Sequence, residues 1–193
     1  MVITVPALQL EAYADSVGIR ESANIWMTLL VAFVIVSLNE EVFKFLAFTI
    51  YPFRQRFFNE PFDGIVYAVM IGMGFATLEN ILYALKYSWE ITLLRAFTAV
   101  PAHAVFAILM GYYAGRAKFQ PERRWPLLLK GLGLAVVAHG VYDFFILQQA
   151  AEWLILFAVI SLYVSIFFSR RLIQMHQQDS PFREIDSENE TDA

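Results

Sequence analysis

The chain has 193 residues, of which 59% are apolar and only 17% are charged. A soluble domain of this length cannot hide so many apolar side chains, because small domains leave a large share of their surface exposed. The composition therefore excludes an ordinary soluble domain, a disordered protein and a nucleic-acid-binding domain. The chain contains no cysteine, which also excludes disulfides, thiol catalysis and zinc–cysteine sites.

Five apolar stretches are long enough for transmembrane helices, which need about 20 residues each. They lie at residues 24–51, 62–85, 93–115, 126–147 and 151–168. The sequence therefore predicts an all-α integral membrane protein with a bundle of about five transmembrane helices. We expect residues 24–172 to form this domain, after an N-terminal extracytoplasmic segment, residues 1–23, that can form a short interfacial helix.

The charged residues between the stretches predict the orientation in the membrane. Basic residues follow the first, third and fifth stretches, whereas few flank the opposite side; those few are Arg20, Lys86 and Arg95. Because basic loops face the cytoplasm, we expect the N-terminus outside and the C-terminus in the cytoplasm. From Gln177 onward the chain carries six acidic residues and one arginine. Residues 173–193 are therefore predicted to form a disordered, acidic cytoplasmic tail.

Ionisable side chains lie inside four of the predicted spans, where each costs roughly 2.5–3.5 kcal/mol at a helix centre. They are Glu40, Glu41 and Lys44 in the first span, Glu79 in the second, His103 in the third, and His139 and Asp143 in the fourth. Counted along the helices from the cytoplasmic edges of the spans, Glu40, Glu79, His103 and His139 fall in one layer toward the outer leaflet. A shared depth indicates a common functional site, because such residues usually face the interior of the bundle.

Spacing within the helices refines this prediction. Glu40 and Lys44 are four residues apart and share a helix face, as do His139 and Asp143. Neighbouring Glu40 and Glu41 point about 100° apart, so we expect only one of them to face the site. The other would pair with Lys44 or orient the first. Each motif taken singly also fits a buried ion-pair cluster or a histidine that hydrogen-bonds between helices.

The residue types are those of a zinc centre. Imidazole and carboxylate groups suit Zn²⁺, which keeps one coordination position for water in catalytic sites. Glu79, His103 and His139 are predicted ligands, and Asp143 is either a further ligand or a partner of His139. Glu40 would then accept a proton from the bound water.

Four motifs follow one another along the chain, each in its own span. They are Glu40-Glu41-Val-Phe-Lys44, Phe75-Ala-Thr-Leu-Glu79-Asn80, His103 followed by Gly111, and His139-Gly-Val-Tyr-Asp143. In this pattern the chain resembles the PrsW-type intramembrane proteases, which are related to the CAAX-processing membrane endopeptidases. The resemblance implies that Glu40 and Glu41 are catalytic and that the remaining acids and histidines complete the centre, with Lys44 and Asn80 supporting it. Glu79 stands where the CAAX branch has a histidine, which favours the PrsW type and leaves open whether a metal takes part.

The resemblance implies an intramembrane endopeptidase of the bacterial cytoplasmic (inner) membrane. Its expected substrates are membrane-anchored proteins, such as anti-sigma factors in stress signalling. The depth of the ionisable layer predicts that they are cleaved near the outer face of their span. Two other functions also fit the residues. One is a proton- or ion-coupled transporter, since buried acids and histidines form proton relays; the other is a non-catalytic membrane binding protein. Gly111 and Gly115 have the small-xxx-small spacing of close helix contacts, so an oligomer through them is possible.

Overall fold

The structure is a computed structural model that describes residues 3–20, 22, 24–178 and 180–181. Within these residues every regular element is a helix and there is no strand, so the predicted all-α class is confirmed. The α-helices are α1 (Thr4–Ser16), α2 (Ile25–Leu30), α3 (Asn39–Ile50), α4 (Phe62–Lys86), α5 (Trp89–Phe97), α6 (Ala99–Phe119), α7 (Arg124–Leu147) and α8 (Ile155–Gln178). A π-helical segment, Val31–Leu38, joins α2 to α3.

Four helical stretches are long and apolar enough to cross a membrane, and they correspond to the second to fifth predicted spans. They are Phe62–Lys86, Trp89–Phe119, Pro121–Leu147 and Glu152–Gln178, with 25 to 31 residues each. The chain is therefore a membrane protein. The first predicted span is also helical, but it is divided into α2, the π-helical segment and α3 and carries three charged residues. The orientation of the bundle stays a prediction.

The π-helical segment positions the first turn of α3 against α7. Ser37 Oγ donates a hydrogen bond of 2.6 Å to the carbonyl oxygen of Val136 on α7. Gly140 leaves room for the ring of Phe33, since a Cβ there would lie 2.5 Å from Phe33 Cδ1. π-Helical turns are rare and are often found at functional sites. Here the segment directly precedes Glu40 and Glu41, and the close contact with α7 brings these residues beside His139.

Glycines allow α4 and α6 to approach closely. A Cβ on Gly111 would lie 2.5 Å from the Gly64 carbonyl oxygen and 2.8 Å from Ile65 Cα. Gly115 packs in the same way against the carbonyl oxygen of Pro61. The small-xxx-small pair Gly111 and Gly115 therefore makes its close helix contact with α4 of the same chain.

Both ends of the described chain contribute helices. The predicted N-terminal helix is present as α1, in which Thr4 and Ala7 are fully buried. At the other end α8 continues to Gln178, so residues 173–178 are helical rather than part of a disordered tail. Packing explains the difference, because His176 is buried and its ring stacks on Tyr112 with centroids 4.3 Å apart. The rest of the predicted tail lies outside the described residues, apart from residues 180–181.

Candidate active site

Four buried side chains from three helices form the centre of the candidate site. Glu40 and Glu41 come from α3, His103 from α6 and His139 from α7. One nitrogen or oxygen atom of each lies within 4.8 Å of the corresponding atoms of the other three. All four residues are at most 5% exposed. The shared layer expected from the sequence thus corresponds to direct proximity in the structure, and these four residues are called the central cluster below.

Lys44 places a cation against three residues of the central cluster. Its Nζ lies 2.8 Å from Glu41 Oε1, 3.0 Å from Glu40 Oε2 and 3.0 Å from His103 Nδ1. A lysine ammonium has three N–H donors, so it can donate one to each of these acceptors. Donation to His103 Nδ1 requires that this imidazole carries its proton on Nε2.

Both glutamates face the centre, whereas the sequence led us to expect only one. The difference arises because Lys44 lies one helical turn after the pair, three residues from Glu41 and four from Glu40. Positions three and four apart on a helix are both neighbours. The lysine therefore draws the two carboxylates together despite the angle between their Cα–Cβ directions.

Glu79 and Asp143 lie on the outer sides of the two histidines. His103 Nε2 is 3.2 Å from Glu79 Oε2, and His139 Nε2 is 3.1 Å from Asp143 Oδ2. The other nitrogen of His139, Nδ1, is 3.0 Å from Glu41 Oε1. The structure thus places Glu79 and Asp143 behind the imidazoles instead of in the central cluster. Carboxylates in this position fix the orientation of an imidazole and its tautomer.

Arg95 belongs to the site, although the sequence predicts it only as a charge flanking the membrane. Arg95 Nη2 lies 2.8 Å from Glu79 Oε1, and the guanidinium stacks on the Tyr83 ring, 3.7 Å from its centroid. The signal was its place in an apolar run, residues 93–97. A charge inside such a run needs a buried partner.

Asn80, a predicted supporting residue, does not reach the central cluster. Its Nδ2 donates a 3.4 Å hydrogen bond to the carbonyl oxygen of Thr92, which links α4 to α5. Asn39, for which the sequence predicts no role, lies next to Glu40 and holds α1. Its Nδ2 donates to the carbonyl oxygen of Ala7 at 3.0 Å and to Glu11 Oε1 at 3.3 Å.

Glu11 brings a further carboxyl group from α1 to the edge of the site. The pKa of Glu11 is raised to about 9. Burial is the main cause, and the nearby acids Glu40, Glu79 and Asp143 contribute to the same shift. The sequence offered little signal for this residue, because the N-terminal segment has a mixed composition without clear periodicity. Only the docking of α1 on Asn39 shows that Glu11 belongs beside the site.

The donor atoms of the central cluster are of the kind that holds zinc. Two carboxylates and two imidazoles provide nitrogen and oxygen ligands, and each imidazole has an outer carboxylate partner as metal-bound histidines usually do. Zinc, however, requires ligand distances of about 2.0–2.2 Å. Since Lys44 Nζ stands 2.8–3.0 Å from three of the four residues, the donors fit zinc once this ammonium is withdrawn.

Comparison with known proteins identifies relatives of this chain. The family described as PrsW family intramembrane metalloprotease matches residues 1–169. Protease PrsW of Geobacillus kaustophilus is 41% identical over 118 residues, which cover 61% of this chain and 52% of that protein. Protease PrsW of Clostridioides difficile is 35% identical over 153 residues, covering 76% and 63%. That of Bacillus subtilis is 37% identical over 125 residues, covering 64% and 57%.

The chain spans between half and two thirds of the length of these curated relatives. No solved structure matches it. The family match includes α1 to α7 and with them every residue of the site described above. This chain therefore belongs to the PrsW family of intramembrane metalloproteases, the family that its four motifs resemble.

Proposed function

We propose that this chain is an intramembrane endopeptidase that hydrolyses peptide bonds of membrane-anchored proteins. The observation that carries the proposal is the environment of Glu41. Its Oε1 is held by Lys44 at 2.8 Å and by His139 at 3.0 Å. Its Oε2 is buried and has no hydrogen-bond partner among the described residues. A carboxylate that is oriented through one oxygen can accept a proton through the other, as a general base does.

The reaction then follows from these contacts. The oxygen of a water attacks the carbonyl carbon of the scissile peptide bond while Glu41 Oε2 accepts one of its protons. The carbon–nitrogen bond breaks as this proton passes to the leaving amide nitrogen, which yields a carboxylic acid and an amine; proton transfer between these products gives a carboxylate and an ammonium group. Negative charge develops on the carbonyl oxygen before the bond breaks and must be stabilised in the dry site. Lys44 Nζ lies 2.8 Å from Glu41 Oε1 and can supply this stabilisation.

The other side chains keep these groups in place. Glu40 balances the charge of Lys44 from its second side, at 3.0 Å. Asp143 holds His139, and His139 in turn holds Glu41. Positioning of this kind contributes to catalysis because small displacements of reacting groups lower rates strongly.

A zinc ion, predicted from the sequence, is part of the proposal. Glu40, Glu41, His103 and His139 would hold it, with Glu79 and Asp143 orienting the two histidines. When bound in place of the Lys44 ammonium, it would supply Lewis-acid polarisation of the substrate carbonyl and a more acidic water. The family description as metalloproteases and the donor set support this cofactor.

The substrate class and location complete the proposal. We infer that the substrates are membrane-anchored regulators such as anti-sigma factors, cut near the outer face of the bacterial inner membrane. The N-terminus would lie outside and the acidic tail in the cytoplasm. The resemblance to PrsW-type proteases, the bacterial relatives and the charges of the loops support these points.

The test is cleavage by the purified protein in liposomes. A panel of single-span reporter proteins, each tagged at both ends, is reconstituted with the wild type, Glu41→Gln or Glu90→Gln. Glu90 is exposed on α5 and serves as the matched control. Loss of a general base should lower the cleavage rate by about 10²–10⁴-fold in Glu41→Gln, with no change in Glu90→Gln. Cleavage by the folded Glu41→Gln variant at the wild-type rate would refute the role of Glu41.

The same liposomes test the transporter alternative. A pH-sensitive dye trapped inside them reports proton flux. A flux that depends on Glu40, without cleavage of any reporter, would favour a transporter and contradict the proposed protease.

A further inference from the structure

The ammonium group of Lys44 lies among the residues that could hold a metal ion in the central cluster. Lys44 Nζ contacts three of the four donor residues, and the lysine is only 4% exposed. Its three N–H groups match three acceptors, Glu40, Glu41 and His103. The Phe75 ring lies on a further side, with its centroid 4.4 Å from Nζ. This contact adds a cation–π interaction to the site of the ammonium.

The distances between Lys44 Nζ and its partners in the central cluster are those expected for an ammonium group. The contacts of 2.8–3.0 Å to Lys44 Nζ are hydrogen-bond distances. Zinc would require the same donors at about 2.0–2.2 Å, so that any two of them lie at most about 4.4 Å apart. The donor atoms already lie within 4.8 Å of one another, so they would need only small movements to reach these distances. The ammonium and a metal ion therefore exclude each other and require slightly different spacings of the same donors.

We propose that Lys44 is a built-in competitor for divalent metal at Glu40, Glu41, His103 and His139, and thereby sets the metal affinity of the site. The inference rests on the proposed function in one respect: it assumes that these four residues form one functional centre. Lys44 lies on the same helix as both glutamates, so its ammonium is present at a high effective concentration. The flexible four-carbon stem of a lysine allows Nζ to withdraw, and only then do the donors become free to converge on a metal.

The experiment measures bound metal rather than activity. Wild type, Lys44→Met, Lys44→Arg and Lys86→Met are purified in detergent, stripped with a chelator and titrated with zinc. Methionine keeps most of the length of the lysine without its charge, and arginine keeps the charge. Lys86 is exposed at the end of α4 and is the matched control.

We expect Lys44→Met to bind one zinc ion per chain about 100-fold more tightly than the wild type, because zinc no longer has to displace the three hydrogen bonds that the ammonium makes with Glu40, Glu41 and His103. Lys44→Arg and Lys86→Met should bind no more tightly than the wild type. Adding His139→Ala to Lys44→Met should abolish the tight binding. Equal zinc affinity in wild type and folded Lys44→Met would overturn the proposal, as would tight binding that survives the loss of His139.

Removing Lys44 leaves two buried carboxylates without their cation, which can prevent folding. The double variant Lys44→Met/Glu40→Gln avoids this by removing one negative and one positive charge, and it keeps three donors. We expect it to bind zinc more tightly than Glu40→Gln alone, and equal affinities would contradict the competition. Reporter cleavage by the wild type is scored separately. Its absence would refute the proposed function and leave the zinc result as an independent test of Lys44.

Discussion

Arg95 Nη2 lies 2.8 Å from Glu79 Oε1, while the other oxygen of Glu79 lies 3.2 Å from His103 Nε2. Through these two contacts Arg95 on α5 is linked to a histidine of the central cluster, although the contact of Arg95 itself is with Glu79. It is a positioning residue: its charge and the stack on Tyr83 hold the Glu79 carboxylate against the imidazole.

Substitution of Arg95 by glutamine should therefore destabilise the protein. The Arg95 side chain is 21% exposed and that of Glu79 is 9% exposed, so the pair is intermediate between surface and buried pairs. We expect a loss of about 1–3 kcal/mol in the free energy of unfolding, measured by thermal or denaturant unfolding in detergent. Arg170→Gln, at an exposed position of α8, should be neutral. If Arg95 and Glu79 are coupled, the double variant Arg95→Gln/Glu79→Gln should lose less unfolding free energy than the two single variants together. A loss equal to that sum would show that the two residues are not coupled.

Substitution of Asp143 by alanine should lower cleavage without unfolding the protein. His139 would lose its partner at Nε2 and the alignment that Asp143 gives it. Losing such a partner typically costs 10–100-fold in activity or metal affinity, and we expect a fall in this range in the liposome assay. Asp143→Asn, which retains a hydrogen-bonding oxygen, should lose less. Asp15→Ala, at an exposed position of α1, is the control, and an Asp143→Ala variant as active as this control would refute the role.

Two glycines of α4 provide a matched test of the close contact with α6. A Cβ on Gly64 would overlap the backbone of Gly111 and Gly115, whereas a Cβ on Gly74 meets no atom of the described chain within 4 Å. Gly64→Ala should therefore lower the unfolding free energy by about 1–3 kcal/mol, since backbone atoms cannot move aside cheaply. Gly74→Ala should be neutral or slightly stabilising, because alanine favours a helix more than glycine does. Equal thermal midpoints for the two variants would contradict the packing of these helices.

The docking of α1 should weaken as the pH rises. Burial, together with Glu40, Glu79 and Asp143, raises the pKa of Glu11 from 4.5 to about 9. Between these values the folded protein binds a proton at Glu11 that the unfolded chain does not. The contribution of Glu11 to the free energy of unfolding is therefore fully present below about pH 4.5 and is lost as the pH rises toward 9.

Thermal unfolding from pH 5 to pH 9 measures this effect. The midpoint of the wild type should fall with rising pH relative to that of Glu11→Gln, whose side chain stays neutral throughout. Parallel curves for the two proteins would show that Glu11 does not titrate in this range. Glu90→Gln is the control for an exposed glutamate and should follow the wild type.

Several features of the site were predictable from the sequence because they depend on the membrane. Charged groups are costly in an apolar span, so Glu40, Glu79, His103 and His139 stand out in any apolar stretch. Helical rise then gives their depth. The pairing of His139 with Asp143 follows from the spacing on one helix. These relationships involve residues that are close in the sequence, or they depend only on distance along a helix.

Other features depend on contacts between helices, which no local pattern specifies. The division of the first span by a π-helical segment and its contact with α7 through Gly140 belong to this class. So does the docking of α1 through Asn39. The extension of α8 to Gln178 was missed because its polar residues suggested a tail, while the stack of His176 on Tyr112 supports a helix there.

The sequence by itself determined the class of the protein, its family motifs and the residues that meet in the membrane, because the cost of burying charge and the rise of a helix are properties of the chain alone. Only the tertiary structure decided which of these residues form the central cluster and which lie behind it. It placed Lys44 Nζ between the glutamates and His103, and Arg95 behind Glu79. The rotation of one helix about its axis relative to its neighbours decides such placements, and that rotation depends on packing across the whole bundle.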